Sequence, residues 1–319
     1  MNGRTKVGLT AALGFAAAIA LPESGGALAG AAPAGAASAP HATAAVAPPS
    51  PLKPPVEGSI PVAFLLSEGA VVIDFTGPWE VFQDASVPGR PDAPFRLYTV
   101  AETTRPIHAS SGLTIVPDYS FGNAPAPKII VIPAQSAPSE ATLAWVRKSA
   151  GRADLTMSVC TGALLLAKTG LLSGKSATTH HSSYRQLAMG YPDIQVRRGA
   201  RFVEAGNVAT AGGLSSGIDL ALRVVERYFG REVAAETAYQ MEYQGQGWTN
   251  PDSNQIYAEQ RVSTDEHPLC PVCEMEIDPA AEGALKSVYK GKTYYFCATA
   301  HKEQFDRAPD KFIAVAGKP

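Results

Sequence analysis

Blocks of apolar residues separated by polar, glycine- and proline-containing stretches predict an alternation of strands and helices over residues 58–248. Residues 60–66 read as a first buried strand and residues 95–101 as a second. Residues 128–132 form a nearly continuous apolar run ending at Pro133, the form of a central strand in a parallel sheet. A short strand is expected at 113–117, and another at 176–180. A strand pair is expected across 195–211 around Ala205-Gly206-Asn207. Between them lie helical patterns. One opens near Asp74, with Thr76 as its cap and Pro78 in its first turn. Others cover 139–150, with Ser139 as cap, 182–189, 216–229, stopped by Gly230, and 231–244. Alternating strands and helices of this kind predict a doubly wound α/β sandwich, whose functional site lies beyond the carboxyl ends of its strands. Asp74, Pro133, Cys160 and His180 all fall at or after such ends.

The two ends of the chain break this pattern. Arg4 and Lys6 precede an uncharged apolar run at 7–21, and Ala27-Leu28-Ala29 has the form of a signal cleavage site. Residues 1–29 therefore read as a signal peptide cut before Gly30, with an uncleaved anchor as the alternative. Residues 30–57, rich in Ala, Pro and Gly, read as a spacer. This places the mature protein in the periplasm or outside the cell, without a stable membrane span once the signal is removed. Residues 249–266 read as a linker, and Trp248 just before it and Tyr257 within it are candidates to pack back on the large domain. Residues 267–319 form a second, small domain that needs a staple to be stable. The formal charge of −2 over 319 residues argues against a nucleic-acid binder.

Chemistry enters at Ser158-Val159-Cys160-Thr161-Gly162, where an apolar run meets a lone cysteine and then a helical face. This is the form of a nucleophile elbow with Cys in place of Ser. A thiol above a helix start is expected to lose its proton below the usual value; the plain alternative is a buried core cysteine. Gly162 would let helix and strand approach closely. Each partner has a bland reading too: Asp74 can favour a helix start, Glu80 can be surface, and His180 can be structural. In the tail, Cys270-Pro271-Val272-Cys273 with Cys297 and His301 forms a Cys₃His set at metal-ligand spacing, Cys297 and His301 being four apart on a helix. Zinc suits it, and so does Cu(I), with Met275 as a nearby soft ligand. A disulfide or redox pair at the CxxC stays open.

Several motifs agree with one known group. Ile73-Asp74-Phe75-Thr76-Gly77-Pro78-Trp79-Glu80-Val81-Phe82, Ala109-Ser110-Ser111-Gly112-Leu113, the Cys160 elbow, Gly170-Leu171-Leu172-Ser173-Gly174-Lys175-Ser176-Ala177-Thr178-Thr179-His180, and Thr210-Ala211-Gly212-Gly213 followed by Gly217-Ile218-Asp219 occur in order. In these the chain resembles the PfpI/ThiJ-type class I glutamine-amidotransferase-like superfamily, and within it the isonitrile hydratase branch. The resemblance implies a flavodoxin-like sandwich, no cofactor for the α/β domain, a small-molecule substrate and often a homodimer. It implies Cys160 as nucleophile on an isocyanide carbon, Asp74 as acid and base, and Thr161 fixing geometry; Gln135, Gly162, His180 and Glu80 are further candidate substrate contacts read from their positions in the chain. One departure stands out: Pro133-Ala134-Gln135 replaces the usual Pro-Gly-Gly, so the loop after the 128–132 strand is expected to differ, with the Gln135 amide as a substitute donor. In the tail, Cys270-Pro271-Val272-Cys273-Glu274-Met275, residues 289–297 and His301-Lys302-Glu303-Gln304-Phe305 resemble a YHS domain, which implies metal binding. Two alternatives accompany the hydratase reading: a non-enzymatic ligand- or copper-sensing protein, and another hydratase or hydrolase reaction at Cys160.

Overall fold

A computed structural model describes residues 50–259 and 261–313; the expected signal peptide and most of the spacer lie outside the described residues. Six parallel strands and one antiparallel edge strand form the central sheet. In chain order the strands are β1 (Ile60–Leu65), β2 (Phe95–Ala101), β3 (Ile107–His108), β4 (Thr114–Ile115), β5 (Tyr119–Ser120), β6 (Ile129–Ile132), β7 (Leu155–Ser158), β8 (Ser176–Ala177), β9 (Gln195–Val196), β10 (Phe202–Ala205) and β11 (Val208–Ala211). The helices are α1 (Val72–Asp84), α2 (Glu140–Ala150), α3 (Gly162–Lys168), α4 (Tyr184–Gly190), α5 (Ser216–Phe229) and α6 (Arg231–Gln240). The sheet order is β10-β11-β7-β6-β1-β2-β5.

The apolar runs have a direct consequence. Ile129 and Val131 of β6 pack with Phe75, Phe82 and Leu220 on the face covered by α1, α5 and α6. Ile130 and Ile132 pack with Leu143, Val146 and Leu166 on the face covered by α2, α3 and α4. A strand covered on both faces has no polar side, hence no alternation. Successive strands run outward from β1 in one direction and from β6 in the other, so strand order reverses between these two. The crevice at their carboxyl ends is the site such folds reserve for ligands.

Several expected boundaries shift. α1 begins at Val72, not at Thr76, because the Ser110 hydroxyl accepts the Val72 N–H at 3.2 Å and caps the end from a distant loop. Thr76 is inside the helix, bonded back to the Val72 carbonyl. The expected strands at 113–117 and 176–180 shrink to β4 and β8, which pair only with β3 and β9 outside the main sheet. The 195–211 pair is realised as the β10–β11 hairpin, and α6 stops at Gln240.

The tail has its own small core of Val272, Phe296, Phe305 and Phe312. Strands β12 (Leu285–Tyr289) and β13 (Lys292–Phe296) form the expected hairpin, turned by Lys290 and Gly291, both with positive φ. Helices α7 (Thr299–Arg307) and α8 (Pro309–Ile313) follow. Trp248 is buried against the large domain and Tyr257 stacks on His181.

One close approach holds the elbow. A Cβ at Gly162 would stand 2.2 Å from the Ile132 carbonyl oxygen and 2.8 Å from that of Pro133. Gly162→Ala is expected to destabilise the fold by about 2–3 kcal/mol or more, read as a lowered urea midpoint.

Candidate active site and metal centre

The site is built where β1, β6 and β7 end. β7 delivers Cys160 in a left-handed conformation, with φ of 57°, and its N–H is held by the Gly212 carbonyl at 2.8 Å. This strained backbone lifts the sulfur out of the strand line, as a nucleophile elbow does. The backbone N–H groups of Thr161 and Leu214 are directed at the thiol. The Thr179 hydroxyl donates to the Cys160 carbonyl at 2.9 Å and fixes the elbow from below.

Asp74, in the first turn of α1, is fully buried. Its Oδ2 accepts the Ala134 N–H at 3.0 Å, bridging 60 residues of sequence, while Oδ1 has no hydrogen-bond partner. Burial raises its carboxyl to about 6; the Ala134 N–H and the Cys160 thiol beside it pull the other way. The same burial pushes the Cys160 thiol up to about 12, and the Asp74 charge adds to it, while the N–H groups of Thr161 and Leu214 oppose the rise. This corrects the expectation of a lowered thiol pKa. α3 has only seven residues, and its dipole end is outweighed by desolvation and by a carboxylate neighbour. Cys160 therefore rests as a thiol beside Asp74.

The other candidates divide. Thr161 is in place through its backbone, and no cap hydrogen bond uses its hydroxyl. Gly162 is structural, as its contacts with the β6 end show. His180 lies against Gly213, where a Cβ would meet its ring at 2.5 Å, so it borders the Gly213-Leu214 wall of the site. Its imidazole is held below the usual value by burial, then by His181. Glu80 is not brought to the site: it is exposed on α1 and accepts from Gln83. Gln135 does not offer its amide to a ligand either, because it accepts from Ser67 at 2.8 Å and donates to the Leu65 carbonyl at 3.2 Å. Neither Ala134 nor Gln135 has positive φ, so loss of the usual glycines leaves no strain there. Ala134 serves the site through its N–H alone.

In the tail, the ligand atoms of Cys270, Cys273, Cys297 and His301 all lie within 4.8 Å of one another. Cys273 and Cys297 sulfurs are 3.4 Å apart, and His301 Nδ1 is 3.1 Å from the Cys297 sulfur and 3.7 Å from that of Cys270. A tetrahedral zinc with Zn–S of about 2.3 Å spaces its sulfurs about 3.8 Å apart, so the four atoms need move little to hold such an ion. All four cysteines are free thiols. Hydrogen bonds from Cys273 and then His301 pull the Cys270 thiol down to about 3 against its burial, the bond to Cys270 and burial push the Cys273 thiol up, and burial followed by the Cys270 charge raises that of Cys297. A cation relieves that crowding. Cys297 precedes α7 rather than lying on it, and Met275 is half-exposed beside the cluster, giving its carbonyl to the Cys270 N–H.

The knuckle is fastened to the large domain. Glu274, next after Cys273 and at φ of 63°, is buried and accepts from Arg198 at 2.9 Å, with Arg185 of α4 at 3.9 Å. Arg185 also donates to the Phe312 carbonyl. No site role was expected from sequence for Glu274 or Leu214, and Ala134 was remarked only as a departure in its loop. Main-chain donors leave no side-chain signature, and an acidic residue after a CxxC reads as surface.

Comparison with known proteins agrees with this geometry. The DJ-1/PfpI family matches residues 61–227, and the YHS domain matches residues 270–315. The chain belongs to the DJ-1/PfpI family. Isonitrile hydratase of Pseudomonas putida is 34% identical over 190 residues, which are 58% of this chain and 79% of that protein. The solved structure of a ThiJ/PfpI family protein from Pseudomonas syringae superimposes with a TM-score of 0.53 at 25% identity, over 82% of this chain and 92% of that one. Drosophila melanogaster DJ-1beta shares the fold, with a TM-score of 0.51 at 21% identity over 59% of this chain and all of that one. The Pseudomonas aeruginosa HTH-type transcriptional regulator GbdR is 25% identical over 179 residues, 54% of this chain and 48% of that protein.

Two outcomes follow. A carboxyl whose folded value lies above its unfolded one weakens the fold as pH rises from about 4 to about 6, and the full penalty persists above that. Asp74→Asn should thus be more stable than the parent by about 2–3 kcal/mol at pH 7.5, and the gain should vanish by about pH 4 in paired urea titrations. Cobalt(II), a spectroscopic stand-in for zinc, should bind in one equivalent with thiolate charge-transfer absorption, and Cys270→Ser should weaken it at least about 10-fold.

Proposed function

We propose that this protein is a cysteine-dependent hydratase acting on small isocyanides, with a metal-holding tail. The observation that carries the reading is the pairing of Cys160 with the buried Asp74 at the sheet's point of reversal, beside the N–H groups of Thr161 and Leu214. The likeness to an isonitrile hydratase supports the choice of substrate class.

The chemistry needs only these residues. Asp74 takes the thiol proton as the sulfur attacks the terminal isocyanide carbon, and then returns that proton to the same carbon. The product is a thioimidate, R–N=CH–S–Cys160. Water adds to that carbon, one of its protons reaches the nitrogen by way of Asp74, and the C–S bond breaks. The remaining proton goes back to sulfur, which leaves R–NH–CHO and the free thiol. The N–H donors stabilise negative charge as it develops on the sulfur. The raised value of Asp74 suits a group that must both accept and give a proton near neutral pH.

The Cys₃His tail is read as a zinc or Cu(I) site that serves stability or metal handling. Export to the periplasm or beyond, by way of residues 1–29, is part of this reading. Among the described residues no helix is long and apolar enough to cross a membrane. A second reading, a ligand- or metal-sensing protein, is favoured by the regulators among its relatives.

The deciding experiment exposes the purified protein to methyl isocyanide and follows N-methylformamide by mass spectrometry. Turnover is expected, lost in Cys160→Ala and lowered about 10²–10⁴-fold in Asp74→Asn. The rate should rise through about pH 6 as the Asp74 carboxylate forms, and Asp74→Asn should lose that limb. No turnover of any isocyanide by a folded protein with a titratable Cys160 thiol would reject the hydratase reading in favour of sensing.

A further inference from the structure

A cavity of about 180 Å³ opens beside the elbow. Its lining includes His180, His181, Leu214, Asn254, Tyr257 and Arg201. Two of these touch the reacting centre at one remove. The N–H of Leu214 faces the Cys160 sulfur, and His180 follows Thr179, whose hydroxyl holds the Cys160 carbonyl. Leu214 itself is 42% exposed at a positive φ of 36°, an apolar side chain held at the mouth by strained backbone.

The character of the lining is aromatic and neutral. The His181 and Tyr257 rings stack at 4.7 Å with planes 15° apart, and His180 lies 4.3 Å from His181. Arg201 supplies the one permanent charge in the lining, and each of its three nitrogens already has a partner. Its Nε donates to Asp219 at 2.6 Å, Nη1 to Asn254 at 3.3 Å and Nη2 to Ser215 at 3.0 Å. An anion that drew Arg201 away would leave Asp219, which is fully buried, without its cation. Burial also holds both imidazoles below their usual value, so they stay neutral near pH 7. An apolar cavity of about 150 Å³ takes benzene, so this one has room for a single ring.

We infer that this cavity seats the substituent on the reacting group, that it selects a flat, neutral aromatic ring, and that Tyr257 and Asn254 of the interdomain segment set this selectivity. The inference rests on the hydratase reading for the identity of the reacting group, but not for the pocket. Both residues lie beyond residues 61–227, the stretch matched by the DJ-1/PfpI family. Tyr257 closes the cavity by stacking and Asn254 holds Arg201 away from the ligand.

The test uses the full chain and two pairs of probes. Benzyl and methyl isocyanide are compared in turnover, and N-benzylformamide and N-methylformamide in binding by calorimetry. The parent is expected to favour the benzyl member of each pair by at least about 10-fold. Tyr257→Ala should abolish most of that ratio, chiefly through KM, and Tyr257→Phe should keep it. Circular dichroism confirms that the variants are folded, as expected at a surface position. Equal affinity of the parent for the two formamides, or an unchanged preference in Tyr257→Ala, overturns the inference. A parent that turns over neither isocyanide sinks the hydratase reading alone, since the formamide affinities still decide the pocket.

Discussion

The buried carboxyl of Asp74 is the constraint on which the arrangement depends. It joins the β1–α1 connection to the end of β6 through the Ala134 N–H and stands against the Cys160 thiol delivered by β7. Three strand ends are thereby referred to one group. Its burial works against the folded state at neutral pH, because an ionised carboxylate there has one oxygen without a partner. A side chain kept at such a cost to stability is better explained by chemistry than by packing. The same burial that lifts Asp74 lifts Cys160, so the pair holds one proton between a poor acid and a moderate base. That arrangement keeps the thiol protonated near neutral pH.

Around this pair the molecule is stiffened by glycine and by strain. Gly162 allows α3 to lie directly on the β6 carbonyls, which fixes where the sulfur points. Cys160 and Leu214, whose N–H faces the thiol, both have positive φ. Such conformations persist only where surrounding contacts enforce them. Here the Gly212 carbonyl and the Thr179 hydroxyl do so.

The segment from His180 to Gly190 links this centre to the tail. His180 and His181 face the cavity beside Cys160, while Arg185 reaches the buried Glu274 and Met189 packs into the tail core. Glu274 is adjacent to Cys273 of the Cys₃His cluster, and its two guanidinium partners belong to the large domain. Removing one partner of a buried ion pair costs far more than the pair contributes. The knuckle and α4 are thus held as one piece. The tail is fastened to the α/β domain rather than trailing from it, and the intervening stretch packs back through Trp248 and Tyr257.

The sequence by itself determined the alternation of strands and helices, the elbow at Cys160, the close approach at Gly162 and the Cys₃His set. Each is written in local pattern: an apolar run, a small residue at a contact, a ligand spacing. Residues 128–132 announced a central strand because burial on both faces removes every polar position. Tertiary structure alone decided the rest. Glu80 and Asp74 lie on the same helix, yet only Asp74 faces the sheet, and the choice follows from how α1 packs against α5. Gln135 was free to serve the site until Ser67 and the Leu65 carbonyl claimed its amide. The Cys160 thiol was expected to be acidified by the helix beneath it, but burial and Asp74 outweigh seven residues of dipole. Ala134, Leu214 and Tyr257 enter the site from remote stretches of chain. Backbone donors look alike in any sequence, and only the folded path brings the Ala134 N–H to Asp74 and the Leu214 N–H to the Cys160 sulfur.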